Sequence, residues 1–250
     1  FKKMGNPKNI LLGICAANFA SAQAASLAGA DRIELCSALA VGGLTPSHAL
    51  LEAVQHAFAI PVHVLVRPRE GDFLYADAEF QIMQQEILKI KQMGFAGVVF
   101  GILNADATID EKRCATLVAL AKPMQLTFHR AFDFVTQANV ALEKLIELGF
   151  YYVLTSGLKS TAVLGLTQLT ELVAQANNRI QIIPAAGINE NNVTAILQTT
   201  KANIIHCSLS EEVPSKMQVN VGPDLGFVNA VSSEIKIRAV KKIITAISHA

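Results

Sequence analysis

Charge of a single sign is missing from this chain, in which 21 lysines and arginines, spread through the sequence, stand against 20 acidic residues. Such a balance gives no electrostatic footprint for nucleic acid or for an anionic membrane surface. Cysteine is scarce as well. Cys15, Cys36, Cys114 and Cys207 form no CxxC pair, which argues against a disulfide framework and points to a reducing, cytoplasmic compartment. No stretch reaches the roughly 18 to 20 unbroken apolar residues of a membrane helix. Charged residues make up 16% of the chain and hydrophobic ones 52%, so a sizeable core is expected and disorder is not. These absences leave a small molecule or a metal ion as the default partner.

One apparent leader needs weighing. Lys2, Lys3 and Lys8 precede an apolar run, Ile10 to Ala17, and Ala22-Gln23-Ala24 imitates a small-x-small cleavage site. The same run also fits a buried strand followed by an Ala-rich helix near Asn18 that leads into Gly29-Ala30-Asp31, as later units do. We adopt the strand reading, with residues 1–9 as an N-terminal tail.

What is present is a repeated unit. Short runs rich in Ile, Val and Leu begin near Ile10, Arg32, Val62, Gly97, Met124, Tyr151, Ile180 and Asn203, each too short for a globular helix. Helical patterns lie between them: Phe19 to Leu27, Ser47 to Phe58, Ala78 to Met93, Asp110 to Leu120, Gln137 to Leu148, Ala162 to Gln175 and Asn191 to Leu197. Thr45-Pro46-Ser47 starts one helix, and Gly29, Gly94 and Gly149 stop three others. Eight strands alternating with helices predict an α/β fold, a (β/α)8 TIM barrel, in a single domain over residues 10–250. The last unit differs, with a long polar loop (209–226) before a closing helix near Val228 to Ile247. A loop of that length is a candidate lid or homodimer contact.

Leu126 to Asp133 reads as a buried strand ending abruptly in His129, Arg130 and Asp133. The carboxyl ends of parallel strands are where such folds bind ligands. If the polar face of every strand points inward, the rim collects Cys15, Cys36, Arg67, His129, Thr155 and His206, the last in phase with Ser208, with Glu34 one layer deeper. Arg67, Arg69 and Arg130 are candidates to bind a carboxylate or phosphate. Asp133 is a candidate to orient Arg130, and Asp72 to orient Arg69. Glu34 and His129 are the candidate catalytic residues for proton exchange. Thr155-Ser156-Gly157 and Ala186-Gly187 form turns after the sixth and seventh strands, where barrels commonly hold phosphate. His206 and Cys207 are adjacent in a strand and point to opposite faces, so they do not chelate together. His63, low in its strand, reads as a satisfied core histidine.

The sequence resembles the CutC family. The matching segments are Gly29 to Cys36, Gly42-Gly43-Leu44-Thr45-Pro46-Ser47, Arg67 to Tyr75, Thr127 to Asp133 and Leu154-Thr155-Ser156-Gly157, all in order between about Leu11 and Ser208. The resemblance implies a TIM barrel, a cytoplasmic location and a link to copper handling, with Cys15 and Cys36 as the copper ligands. Thiolates are soft ligands suited to Cu(I). Two departures stand out. Gly13 replaces a Glu usual in the family, removing a carboxylate from the mouth. Pro184-Ala185-Ala186-Gly187 replaces a Gly-rich turn, adding methyl groups where backbone amides would approach an anion.

Two functions are therefore expected to compete. The first is copper homeostasis through Cu(I) binding, and the second is an enzyme acting on a small phosphorylated or carboxylated metabolite without a copper role. No organic cofactor is indicated. A pure scaffold ranks third, since its rim would be apolar.

Overall fold

The computed structural model describes residues 9–214, 216 and 229–249. Eight short strands, β1 (Leu11–Ala16), β2 (Arg32–Leu35), β3 (Val62–Leu65), β4 (Gly97–Phe100), β5 (Gln125–Phe128), β6 (Tyr152–Thr155), β7 (Gln181–Pro184) and β8 (Ile204–Cys207), form one parallel sheet in the order β7-β6-β5-β4-β3-β2-β1-β8. The sheet curls until β8 lies beside β7 without a ladder between them, and Asn203 Nδ2 reaches Gln181 Oε1 across that seam at 3.4 Å. Eight helices accompany the strands: α1 (Phe19–Leu27), α2 (His48–Ala57), α3 (Asp77–Gln92), α4 (Glu111–Ala121), α5 (Ala138–Leu148), α6 (Leu166–Ala176), α7 (Val193–Thr200) and α8 (Glu234–Ser248). The expected (β/α)8 barrel is the observed fold.

Local chemistry explains where the helices begin and end. Asn18, Ser47 and Asp110 each accept a hydrogen bond from the backbone N–H three residues on, satisfying a donor that the first turn leaves open. At α3 the Glu79 carboxylate accepts from the Ala76 N–H at 2.7 Å. Gly149 ends α5 at φ +86°, a left-handed conformation that glycine adopts without strain. Ala138, Ala141, Leu142 and Leu145 form the buried stripe of α5. Each of the two leucines is fully buried and contributes roughly 2 kcal/mol of apolar transfer.

Alternation along each strand divides the core. Leu12, Ile14, Ile33, Leu35, Val64, Val98, Phe100, Leu126, Phe128, Val153 and Ile205 pack outward beneath the helices in one large cluster. The inward residues form two smaller apolar islands, Cys15, Cys36, Leu65 and Val99 on one side and Leu154, Ile183, Ala185 and Ile204 on the other. A belt of buried polar residues shares the interior: Arg32, Glu34, His63, Thr127, His129 and His206.

Three expectations need correction. Helix α6 begins at Leu166, later than Ala162, because Gly157 and Gly165 bring their backbones together. A Cβ on Gly165 would lie 1.9 Å from the Ser156 carbonyl oxygen. The closing helix starts at Glu234 rather than Val228, because Asn229–Ser232 is a strand, β10, paired antiparallel with β9 (Ser210–Val213). Of the expected 209–226 loop, Ser210 to Val213 is therefore strand, while residues 215 and 217–226 lie outside the described residues, as do residues 1–8 of the expected tail. The β9–β10 hairpin docks on α1, where Asn18 Nδ2 donates to the Ala230 carbonyl at 3.0 Å and the Ser232 N–H donates to Ser21 Oγ at 3.0 Å. Among the described residues no helix is long and apolar enough to cross a membrane.

Candidate functional site

A cavity of about 480 Å³ opens at the carboxyl ends of the strands. Its wall includes Cys15, Glu34, Arg67, His129, Arg130, Gly187, His206 and Ser208 from the expected set, together with apolar residues such as Leu39, Phe73, Phe134 and Leu154. Volumes of this size suit a metabolite-sized ligand.

The two candidate metal ligands meet. Cys15 and Cys36 end adjacent parallel strands, and their Sγ atoms lie 3.7 Å apart in buried surroundings. Cys15 faces the cavity. Cys36 lies beneath the loop after β2, where a Cβ on Gly43 would come within 3.6 Å of its sulfur. The hydrogen bond with Cys36, then burial, pushes the Cys15 thiol well above its usual range, so it is protonated at neutral pH. Glu34 and His206 complete the cluster. One ligand atom from each of Cys15, Glu34 and His206 lies within 4.8 Å of the others, and His206 Nε2 is 3.8 Å from Glu34 Oε1.

The polar belt carries unsatisfied chemistry. Burial pushes the Glu34 carboxyl up to about 7 against the opposing pull of Arg32, and its Oε2 has no partner. Burial, aided by the Arg67 charge, pushes His129 down to about 3. Burial, aided by Arg32, does the same to His206. Both imidazoles are therefore neutral near pH 7. The Ala131 N–H donates to His129 Nδ1 at 3.2 Å, which places the ring proton on Nε2, and that nitrogen has no partner. His63 is buried as expected but not satisfied, because its Nδ1 lacks a partner.

The arginines behave differently from one another. Arg67 Nη1 donates to the carbonyls of Val41 and Gly43, and Nη2 donates to that of Gly71, all at 2.8 Å, while the guanidinium stacks on Phe73. It lines the cavity yet serves mainly to tie two mouth loops together. Arg69 lies outside the cavity, bound to Glu79 at 2.6 Å and Asp72 at 2.9 Å. That corrects its expected place in the pocket, although Asp72 does orient it. Arg130 stands at the mouth, 42% exposed, with Nε on Asp133 at 2.8 Å and Nη2 on Ser156 Oγ at 3.1 Å.

The turn after β6 is also corrected. Tyr152 and Leu154 are the inward residues of β6, so Thr155, in phase with Val153, faces the helix layer. Thr155 Oγ1 donates to Asp133 Oδ1 and accepts from the Gly157 N–H, and Asp133 also accepts from the N–H groups of Ser156 and Leu158. Asp133, Thr155, Ser156 and Gly157 thus form a buried brace behind Arg130 and do not line the cavity. Of the two turns expected to hold phosphate, only Ala186-Gly187 reaches it.

Sequence reasoning missed the glycines that make room for the imidazoles. A Cβ on Gly97 would sit 2.4 Å from His63 Nδ1, one on Gly101 would sit 2.6 Å from His129 Nδ1, and one on Gly13 would sit 3.2 Å from His206 Nδ1. A glycine inside or bordering a buried strand signals such close approach, and Gly97-Val98-Val99-Phe100-Gly101 carried that signal twice. Arg32, whose guanidinium lies 4.7 Å over the Tyr152 ring, was also missed.

Fold and site together define a TIM barrel with a thiol-bearing, polar mouth. Comparison with known proteins narrows this class. The CutC family model matches residues 10–211, and the chain belongs to that family. It is 44% identical over 216 residues to a human protein named copper homeostasis protein cutC homolog, covering 86% of this chain and 79% of that one. The mouse protein of the same name is 42% identical over 245 residues, covering 97% and 90%. A CutC family protein from Vibrio vulnificus is 47% identical over 206 residues, covering 82% of each. A crystal structure from Streptococcus agalactiae that carries the CutC name superposes with a TM-score of 0.76 at 34% identity, covering 80% of this chain and 98% of that one.

Proposed function

We propose that this protein serves copper homeostasis in the cytoplasm by binding Cu(I) through Cys15 and Cys36. The observation that carries the reading is the 3.7 Å separation of the two sulfurs at the ends of neighbouring strands. Two thiolates that close can share one soft ion with little movement. The copper-linked names of the human and mouse relatives agree with it. His206 and Glu34 supply further ligand atoms beside Cys15. Because the Cys15 thiol is held protonated, Cu(I) displaces protons on binding, and affinity rises with pH.

The test is anaerobic Cu(I) titration against a competing chelator. One equivalent is expected to bind to the parent chain, with at least tenfold weaker binding in Cys15→Ala and in Cys36→Ala. Unchanged affinity in both variants would sink the reading.

A further inference from the structure

Hydrogen-bond donors crowd one side of the cavity. His129 is 5% exposed and lines the cavity, and its Nε2–H, buried within the wall, has no acceptor. Arg67, also 5% exposed, has its Nε–H buried and without an acceptor. Arg130 uses Nε and Nη2 in its brace, and among the described residues nothing accepts from Nη1. The amides of Ala186, Gly187 and Ile188, residues that also line the cavity, likewise have no partner among the described residues. Ala186 and Gly187 both have positive φ, +77° and +71°, in a turn whose consecutive N–H groups are open to an anion. Among the described residues, Glu34 Oε2 is the one buried side-chain oxygen of the wall left without a partner.

A wall with an open guanidinium N–H and three consecutive open amides suits a ligand rich in oxygen acceptors and negative charge. The cavity is larger than an inorganic ion, and Leu39, Phe73, Phe134 and Leu154 line its other walls. The ligand therefore carries an organic part. We propose that the cavity binds a small phosphate monoester, with phosphoryl oxygens on the amides of residues 186–188 and on Arg130 and the organic part against the apolar walls. Phosphate is favoured over carboxylate because consecutive amides and a guanidinium surround a tetrahedral group from several directions. The proposal uses none of the thiols as a ligand, although Cys15 lines the same cavity.

Calorimetric titration of the purified full chain tests this, with inorganic phosphate, glycerol 3-phosphate and lactate as probes. Glycerol 3-phosphate is expected to bind more tightly than inorganic phosphate, and lactate not at all. Arg130→Gln should weaken both phosphate probes at least tenfold. The titrations are run without copper, so a failure of copper binding remains distinguishable from a failure here. Circular dichroism checks that Arg130→Gln, a change at a half-exposed side chain, leaves the fold intact. No binding of either phosphate probe at millimolar concentration overturns the proposal. So does affinity indifferent to Arg130→Gln, or lactate binding as well as glycerol 3-phosphate.

Discussion

The two flanks of the barrel mouth carry similar charges and use them in opposite ways. On the β2–β3 flank, Arg67 and Arg69 are occupied by backbone carbonyls and carboxylates of their own loops. On the β5–β8 flank, Arg130 is braced from behind by Asp133 and Ser156, and the turn after β7 presents amides without partners. Arginines at a mouth therefore do not measure its capacity for anions. Capacity depends on which donors remain after the loops have been fastened.

Sharp differences in mutant behaviour would confirm that contrast. Arg67→Met should be the most damaging change, because it leaves three carbonyls of two loops without their donor at a buried site. We expect a loss of about 3–5 kcal/mol in urea denaturation. Arg130→Gln, at a half-exposed ion pair, should cost under about 1 kcal/mol. Equal costs would erase the distinction between the flanks.

Gly101→Ala should cost about 1–3 kcal/mol by forcing the His129 ring aside. The same substitution in a His129→Ala background should cost much less, so a double-mutant cycle showing additivity would refute the steric link.

The pH response gives a smaller, graded test. His129 folds with its pKa depressed to about 3, from an ordinary 6.5. Its stabilising contribution is therefore present above pH 6.5 and lost as pH falls toward 3, because the unfolded chain takes up a proton that the folded chain refuses. Replacing it with Phe should reduce proton uptake on unfolding at pH 5 by roughly one, read from the slope of stability against pH. An unchanged slope would mean that the ring is not held neutral. The smallest effect is expected at Ala186, where a left-handed alanine is strained. Ala186→Gly should leave stability within about 1 kcal/mol of the parent, relief of strain offsetting the added freedom of the unfolded chain. A loss larger than that would show the methyl group to be packed.

Much of the architecture could be read from the residues. Eight apolar runs separated by helix starts at Asn18, Ser47 and Asp110 are local features, and local features survive folding unchanged. The face of β6 was not legible. Tyr152-Val153-Leu154-Thr155 is apolar or small throughout and almost wholly buried, so alternation gives no phase, and only pairing with β5 and β7 sets it. Thr155 was placed inward on its polarity alone. The β10 strand was absorbed into the closing helix because Val231 continues an apolar pattern, while Ser232 and Ser233, buried against α1 and the hairpin, mark the true break. Cys15 and Cys36 were picked out by chemistry, but their meeting depends on the β1–β2 register, which no single strand reveals. The fate of Arg67 depends on carbonyls four and more than twenty residues away, beyond any short window.

The glycines at positions 97 and 101 carry a last consequence for anyone varying this protein. Gly101 shares its space with the His129 imidazole at the end of the neighbouring strand, and Gly97 shares its space both with the His63 imidazole on the preceding strand and with the Gln125 backbone carbonyl, 2.6 Å from the position of an added Cβ. Libraries randomised at either glycine alone will return glycine and little else. Randomising Gly101 and His129 together can trade bulk across the strand boundary, and so can reshape the barrel interior while its outer core stays untouched, whereas at Gly97 the backbone carbonyl blocks that exchange.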